Sequence, residues 1–238
     1  MELAPSISQI AMLLADPKRS AMIWALIDGS ARGSEELARL AGLTPSSASA
    51  HLARLAAGGL LKLEARGRKR FFRLATPQVG TAVEALASVW AGRTDIPTGL
   101  ALESLPPTPP SMRRARLCHD HLGGELAAEL LQRLLEAAWL EQHDRRLEVT
   151  QKGIEQLAAQ GIYLQALARQ QDHAVCTCCD WSNSRPHLGG ALGASLLRLF
   201  LQSGWLRISD ETRVLQVTQA GVREIGKIAC EAALPDVI

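Results

Sequence analysis

Cysteines and histidines are the residues in this sequence whose types and spacing suit chemistry. They form two clusters, Cys118-His119-Asp120-His121 and Cys176-Thr177-Cys178-Cys179. Thiolates and imidazoles bind thiophilic cations such as zinc and copper(I), and neighbouring thiols also form reversible disulfides under oxidants. These residues therefore suit a thiophilic metal cofactor or a redox site. The alternative is that the protein has no cofactor. The residues predicted for the metal or redox site are Cys176, Cys178, Cys179, Cys118, His119 and His121.

The same side chains also have simpler interpretations. Free cysteines are often buried as small hydrophobic residues, and we assign Cys230 this role. His121 and His187 precede equivalent helices, so they can be duplicated structural caps. A small-molecule effector pocket between two repeats is a further alternative. Its candidate lining residues are Trp181, Arg185, His187, Trp139 and Trp205.

Two consecutive helices joined by a tight turn predict a helix-turn-helix motif. The first begins with Ser34 as its N-cap and ends at Gly42. The second begins at Thr44-Pro45, an N-cap followed by a first-turn proline, and runs to about Ala57. In such motifs the second helix enters the major groove of DNA.

A basic hairpin follows the second helix. Two strand-like segments, 60–64 and 70–74, flank an arginine-rich turn. Residues 54–73 contain seven basic side chains and one acidic, whereas the whole chain has 26 basic and 24 acidic side chains. Such a local patch is typical of phosphate contacts. The predicted DNA-binding residues are Thr44, Ser46, Ser47, Ser49, Ala50, His51, Arg54, Arg66, Arg68, Lys69 and Arg70.

Further elements place these residues in an amino-terminal domain. Helices are predicted around residues 7–14, from Asp16-Pro17 to about Asp28, and from Pro77 onwards, where Val79, Val83, Leu86 and Trp90 form an apolar stripe. Five prolines in residues 93–112 predict a linker. We therefore expect a DNA-binding and dimerisation domain at 1–92, the linker at 93–112 and a sensor domain at 113–233.

The carboxy-terminal domain contains an internal repeat. His121-Leu122-Gly123-Gly124 recurs 66 residues later as His187-Leu188-Gly189-Gly190, and further leucines and a tryptophan match at the same offset. The two repeats, about 117–160 and 183–229, each predict a helix, a hairpin and a second helix, similar to the back half of a winged helix. The predicted fold class is mainly α with small β-hairpins (α+β): a winged helix-turn-helix plus two winged-helix-like repeats.

Residues 5–92 resemble the ArsR family of winged-helix transcriptional repressors. The matching segments are Asp16-Pro17-Lys18-Arg19, Glu36-Leu37-Ala38, residues 43–55, Gly59-Leu60-Leu61 and residues 67–74. The resemblance implies a homodimer paired through the first and last helices of this domain, an inverted-repeat operator in double-stranded DNA, and release by an effector. The family's familiar metal sites are absent, since residues 34–37 contain no cysteine and residues 79–90 contain only Glu84 as a potential ligand. The carboxy-terminal Cys, Asp-Trp-Ser and Arg-Pro-His-Leu segments resemble those of longer ArsR-type regulators.

Together these features predict a sequence-specific DNA-binding transcriptional regulator, a homodimeric repressor released by a thiophilic metal, an oxidant or thiol signal, or a small molecule. The alternative is a winged-helix module that binds protein or RNA without sensing. An enzyme is not expected, because Gly-x-Ser-x-Gly, phosphate-binding-loop and His-Glu-x-x-His motifs are all missing. The odd number of cysteines and the lack of a signal peptide or apolar span predict a cytoplasmic protein without a membrane partner.

Overall fold

The computed structural model describes residues 7–67, 69–91, 108–144, 146–168, 174–182, 185–208 and 212–230. Arg68, most of the predicted linker and the side chain of Trp90 lie outside the described residues. The chain folds into two compact units. The first contains the described residues up to Val83 with 108–109 and 212–213, and the second contains 84–91, 110–208 and 214–230.

The first unit is a winged helix-turn-helix. Its helices are α1 (Ile7–Leu14), α2 (Pro17–Ala25), α3 (Ser34–Leu40), α4 (Pro45–Ala57) and the start of α5 (Pro77–Ala91). Its strands are β1 (Arg32–Gly33), β2 (Leu61–Arg66) and β3 (Lys69–Leu74), which form an antiparallel sheet in the order β1-β3-β2. The predicted helices and the hairpin are confirmed, whereas β1 was not expected.

Capping residues determine where these helices begin. The Asp16 carboxylate accepts hydrogen bonds from the backbone N–H groups of Lys18 and Arg19, both at 2.9 Å, and Thr44 Oγ1 accepts one from Ser47 N at 3.3 Å. The prediction of Ser34 as an N-cap is wrong: Gly33 occupies that position and makes no side-chain cap. The reason is that β1 pairs with β3, which keeps the backbone extended through Gly33.

A single apolar core holds α4 in place. Ala48, Leu52 and Leu55 on one face of α4 are fully buried with Leu37 of α3. The opposite face of α4 therefore remains at the surface, as the apolar spacing predicts.

The second unit consists of two copies of a hairpin–helix–hairpin–helix module, preceded by α6 (Pro110–Arg113). The first copy contains β4 (Arg116–Cys118), β5 (His121–Gly123), α7 (Glu125–Glu136), β6 (Leu140–His143), β7 (Arg146–Val149) and α8 (Gln151–Ala159). After α9 (Leu164–Ala168), the second contains β8 (Cys176–Cys179), β9 (Pro186–Gly189), α10 (Gly190–Gln202), β10 (Leu206–Ile208), β11 (Leu215–Val217) and α11 (Gln219–Lys227). The predicted helix–hairpin–helix order is confirmed, and the leading hairpins β4–β5 and β8–β9 are additional.

The two copies share one hydrophobic core. Leu126, Leu130 and Leu134 of α7 are buried with Leu192 and Phe200 of α10 in the same cluster. Neither module therefore buries its apolar face alone, which is the usual physical basis of a repeat. No described helix of either unit is both long enough and apolar enough to cross a membrane.

Matching glycines allow the last helix of each copy to pack closely. A Cβ added to Gly153 in α8 would lie 2.0 Å from the carbonyl oxygen of Trp139, and one added to Gly221 in α11 would lie 2.0 Å from that of Trp205. Backbone atoms cannot yield as a flexible side chain does. These two glycines are therefore a steric requirement of the repeat.

We predict that Gly153→Ala and Gly221→Ala each lower the free energy of unfolding of the second unit by about 1–3 kcal/mol, the usual cost of overpacking. Gly226→Ala in α11 is the matched control, because an added Cβ there meets nothing within 4 Å. It should leave stability unchanged or raise it by up to about 1 kcal/mol through helix propensity. Urea denaturation followed by circular dichroism measures all three, and equal effects at Gly221 and Gly226 would contradict the steric argument.

Candidate DNA interface and cysteine–histidine cluster

The exposed face of α4 carries most of the residues predicted to contact bases. Ser46, Ala50 and Arg54 follow one another at i, i+4 spacing and are all exposed. Thr44 and Ser47 are exposed beside them at the start of the helix. One serine hydroxyl on this helix already has a backbone partner, since Ser49 Oγ donates a hydrogen bond to the carbonyl of Pro45 at 2.9 Å. This face is therefore polar, with small residues that permit close approach.

His51 differs from its predicted place on the outer face. Its ring is half-buried, and Nδ1 lies 3.9 Å from the Asp16 carboxylate at the start of α2. The hydrogen bonds from the first turn of α2 hold the pKa of Asp16 below its usual value, against the opposing effect of burial. The His51 side chain of α4 thus faces the anionic N-cap of α2.

The β2–β3 hairpin forms the wing. Gly67 at its tip has φ +63°, a left-handed conformation that glycine adopts readily. Lys69, Arg70 and Arg66 are exposed around this tip. The Arg66 guanidinium lies 4.8 Å from the centre of the Phe71 ring and 3.1 Å from the Glu64 carboxylate.

In the second unit, four potential metal ligands from the leading hairpins meet at one point. Cys118 is paired with His121 across β4–β5, and Cys178 is paired with His187 across β8–β9. The Cys118 and Cys178 sulfurs are 3.9 Å apart, and the Nε2 atoms of the two histidines are 3.2 Å apart. All four ligand atoms lie within 4.8 Å of one another. Cys118, His121 and His187 are buried and Cys178 is half-buried.

The thiols of this cluster are strongly coupled. The hydrogen bond between the two sulfurs, together with burial, raises the pKa of Cys118 to about 11, and the same hydrogen bond lowers the pKa of Cys178 despite its burial. Burial opposes a charge on His121, but its contacts with Cys118 and Asp120 outweigh this and raise its pKa.

Each histidine has a carboxylate behind it. His121 Nδ1 lies 3.0 Å from Asp120, and His187 Nδ1 lies 4.0 Å from Asp180. Asp120 and Asp180 also occupy corresponding positions, each two residues after the cysteine of its hairpin. Both imidazoles therefore direct Nδ1 towards a carboxylate and Nε2 towards the centre of the cluster.

A buried ion pair fixes Asp180. The Arg116 guanidinium is fully buried, lies 2.8 Å from the Asp180 carboxylate and stacks 4.3 Å from the centre of the Trp181 ring. Asp180 also accepts hydrogen bonds from the backbone of Gly124 at 2.9 Å and of Ser182 at 2.7 Å. Burial alone would raise the pKa of Asp180, but the Arg116 guanidinium, together with the hydroxyl and backbone N–H of Ser182, lowers it to about 2. The carboxylate is therefore charged and rigidly held.

Three other residues predicted for the metal or redox site lie outside the cluster of four. Cys176 and Cys179 are half-buried neighbours of Cys178 in β8, and His119 is exposed in the β4–β5 turn. Desolvation is the main factor that raises the pKa of both Cys176 and Cys179. The assignment of Cys230 as a buried residue is wrong, because it is exposed, three residues beyond the end of α11. The prediction of burial rested on residue type alone. Ile228 is the last buried residue before Cys230 in the described part of the chain.

The residues predicted to line an effector pocket lie in different environments. Trp139 belongs to the apolar core, and Trp205 packs 5.7 Å from Phe200, measured between ring centres. Trp181 lies against Arg116, whereas Arg185 is exposed and donates to Gln132 at 3.2 Å. His187 belongs to the metal-ligand cluster. The alternative of His121 and His187 as helix caps is also wrong, since both lie within strands and Gly124 and Gly189 occupy the N-cap positions.

Comparison with known proteins supports the assignment of the first unit. The sequence profile of a helix-turn-helix domain matches residues 14–64. Over 233 residues, covering 97% of both chains, the sequence is 34% identical to the uncharacterized HTH-type transcriptional regulator YdfF of Bacillus subtilis. The chain belongs to the family of HTH-type transcriptional regulators. The ArsR-type motifs within residues 16–74 and the winged helix-turn-helix fold agree with this membership.

Some solved structures are similar to part of this regulator. One is the homodimeric winged helix-turn-helix DNA-binding domain of a possible ArsR-family regulator from Mycobacterium bovis, with 25% identity, TM-score 0.34, and coverage of 37% of this chain and 82% of that one. Another is the cadmium sensor CMTR of Mycobacterium tuberculosis, with 33% identity, TM-score 0.31, and coverage of 40% and 100%.

Proposed function

We propose that this regulator is a homodimeric repressor that binds an inverted-repeat operator in duplex DNA. The observation that carries the proposal is the two-sided character of α4. Its apolar side is locked into the core by Leu52 and Leu55, while Ser46, Ala50 and Arg54 are exposed on the other. Its width and length suit the major groove, which admits one α-helix. Repression rather than activation is favoured by the resemblance to ArsR repressors.

The wing and the helix have different roles in this proposal. Lys69 and Arg70 at the wing bind phosphates, which adds affinity for any sequence and makes binding salt-dependent. Ser46 and Ser49 on α4 contact base edges, where a hydroxyl can donate or accept. Arg54 at the carboxy-terminal end of the same face is long enough to reach either a base edge or a phosphate.

Wing variants and helix variants should therefore weaken DNA binding in different ways. Lys69→Ala and Arg70→Ala should lower affinity equally for operator and random duplexes, and each should reduce the slope of log K against log salt by about one. Ser46→Ala and Ser49→Ala should weaken binding to the preferred sequence by about tenfold, as expected for a lost hydrogen bond of ~1 kcal/mol or slightly more. The measurement is fluorescence anisotropy with a duplex selected from a random library.

Arg207→Ala is the matched control, because Arg207 is an exposed basic residue on β10 in the second unit. It removes the same charge and should leave DNA affinity and salt slope unchanged. Equal losses on both duplexes for all four winged-helix variants would contradict the division of roles. Binding to RNA or to a protein without any duplex preference would favour the interaction-module alternative.

Exposed apolar side chains on α1 and α5 support the proposed homodimer. Ile7 and Met12 of α1 are 87% and 63% exposed, and none of the residues of α1 is buried. Leu86 of α5 is 64% exposed although the sequence places it on the apolar stripe of this helix. Contact with a second copy would remove this apolar surface from water, which is favourable.

Leu86→Glu should convert the dimer to a monomer. The wild type should have twice the 25.6 kDa chain mass by light scattering, and the variant should have the mass of one chain, because a charge on each side of a symmetric contact is desolvated and repelled. Val222→Glu on α11 is the control, since Val222 is also 64% exposed. A dimeric Leu86→Glu protein would place the interface elsewhere.

We propose that the effector acts through the second unit. Neither α3 nor α5 contains a cysteine or histidine, whereas four such side chains converge on the hairpins of the second unit. Two sulfurs and two imidazole nitrogens within 4.8 Å of one another form a mixed ligand set that suits a thiophilic cation, and an oxidant would use only the sulfurs. Among the predicted effectors, a thiophilic metal is therefore favoured over an oxidant.

Zinc chloride should be added to the metal-stripped regulator bound to its selected duplex. We expect zinc to weaken DNA binding by about tenfold or more, which is within the usual range of allosteric coupling. Hydrogen peroxide at the same ionic strength should have a smaller effect. The Cys118→Ser/Cys178→Ser double variant should bind DNA but lose the response to zinc, and Cys179→Ser should keep it. Release by peroxide alone would indicate a redox sensor, and release by neither would redirect the search to small molecules.

A further inference from the structure

We propose that Cys118, His121, Cys178 and His187 bind a single zinc ion tetrahedrally, and that this ion joins the two repeats of the second unit. Each repeat contributes one thiolate and one imidazole. The inference rests on the proposed function in so far as it names the ligand of the effector site, but the binding itself can be measured without DNA.

The distances between ligand atoms fit the size of zinc. Zinc binds sulfur at about 2.3 Å and imidazole nitrogen at about 2.0–2.1 Å. In a tetrahedron these lengths separate two sulfurs by about 3.8 Å and two nitrogens by about 3.3 Å. The observed separations are 3.9 Å between the sulfurs and 3.2 Å between the Nε2 atoms. The four groups are thus already near the positions that a bound ion requires.

The surroundings of the histidines also fit a metal site. Imidazole ligands usually direct their other nitrogen to a carboxylate or carbonyl, which orients the ring. Here Asp120 lies 3.0 Å from His121 Nδ1, and Asp180 lies 4.0 Å from His187 Nδ1. The Arg116 ion pair and the Gly124 N–H hold Asp180 in place. The two rings are therefore oriented with Nε2 atoms facing each other, an arrangement that a cation between them stabilises.

The set of ligands favours zinc over other outcomes. Two thiolates and two imidazoles in tetrahedral positions are typical of structural zinc. A disulfide between Cys118 and Cys178 would use both sulfurs and leave two buried imidazoles facing each other at 3.2 Å. Copper(I) also accepts thiolates, so copper is an outcome that the experiment must separate.

Burial and connectivity indicate what the ion does. The site is closed, because four protein ligands fill a tetrahedron and three of them are buried. Two ligands come from β4–β5 and two from β8–β9, so a bound ion cross-links hairpins that are distant in sequence. Metal binding to such a site contributes directly to the free energy of folding. Occupancy should therefore stabilise the pairing of the two repeats.

The test is the metal content of the full-length protein purified without chelator. Plasma mass spectrometry should find one zinc per chain. Cobalt(II) added to stripped protein should give the intense visible bands of a tetrahedral site and a thiolate-to-cobalt charge-transfer band, both displaced by zinc. Cys118→Ser, Cys178→Ser and His187→Gln should each reduce bound zinc at least about tenfold. Cys176→Ser and Cys179→Ser, which remove thiols on either side of Cys178, should retain one zinc.

A second measurement uses the wild type alone, in case a ligand variant does not fold. Iodoacetamide should label half-buried Cys178 in stripped protein but not in zinc-loaded protein, whereas exposed Cys230 should be labelled in both. Stripping should also lower the melting temperature of the second unit. Folded wild type without zinc, stoichiometric copper in its place, a Cys118–Cys178 disulfide after reducing purification, or unchanged labelling would each overturn the proposal. DNA binding that is equally strong with and without zinc, with zinc bound at the site, would instead count against the proposed function alone.

Discussion

Antiparallel pairing is the constraint on which the carboxy-terminal site depends. Directly opposed residues of two antiparallel strands project from the same face of the hairpin, with Cβ atoms about 5 Å apart. Cys118 opposes His121 and Cys178 opposes His187, so each hairpin presents one sulfur and one imidazole together. Packing of β5 near β9 then brings two such pairs face to face. The site is a consequence of strand register, and a slip of one residue would send the cysteine and histidine to opposite faces.

The buried Arg116–Asp180 pair reinforces this arrangement. Taking two charges out of water is costly, and a guanidinium offsets that cost only with good geometry and further hydrogen bonds. Here Trp181 covers the guanidinium, and the backbone of Gly124 and Ser182 donates to the carboxylate. Because Arg116 belongs to β4 and Asp180 follows β8, the pair also spans the two repeats. The same carboxylate therefore supports both the contact between repeats and the orientation of His187.

In the winged helix, one set of residues forms the core and a different set forms the polar surface. Buried leucines fix α4 and leave a polar face free, and the glycine at the wing tip permits a tight turn that carries basic residues away from the core. The position of His51 next to Asp16 qualifies this division, since a side chain of α4 interacts with the cap of α2. The cap of α2 is thus physically adjacent to the face of α4 that is proposed to contact DNA.

Local signals in the sequence determined most of the first unit and part of the second. Asp16-Pro17 and Thr44-Pro45 mark helix starts because a cap and a proline act within one turn, and the repeat is visible because Trp, Gly and Thr recur in register. The same local approach failed at Ser34, where pairing of Arg32 with Phe72, distant in sequence, extended the strand to Gly33.

Only the tertiary structure decided which cysteines and histidines meet. The corresponding cysteines are 60 residues apart and the corresponding histidines 66, because the turn of the second hairpin is six residues longer. That insertion hid the match, although the equivalence of His121 and His187 could have indicated it. The sequence determined that thiols and imidazoles were present and that the chain was duplicated. Which of them face each other depended on strand register and on the packing of two hairpins, and these are set by contacts between residues far apart in the chain.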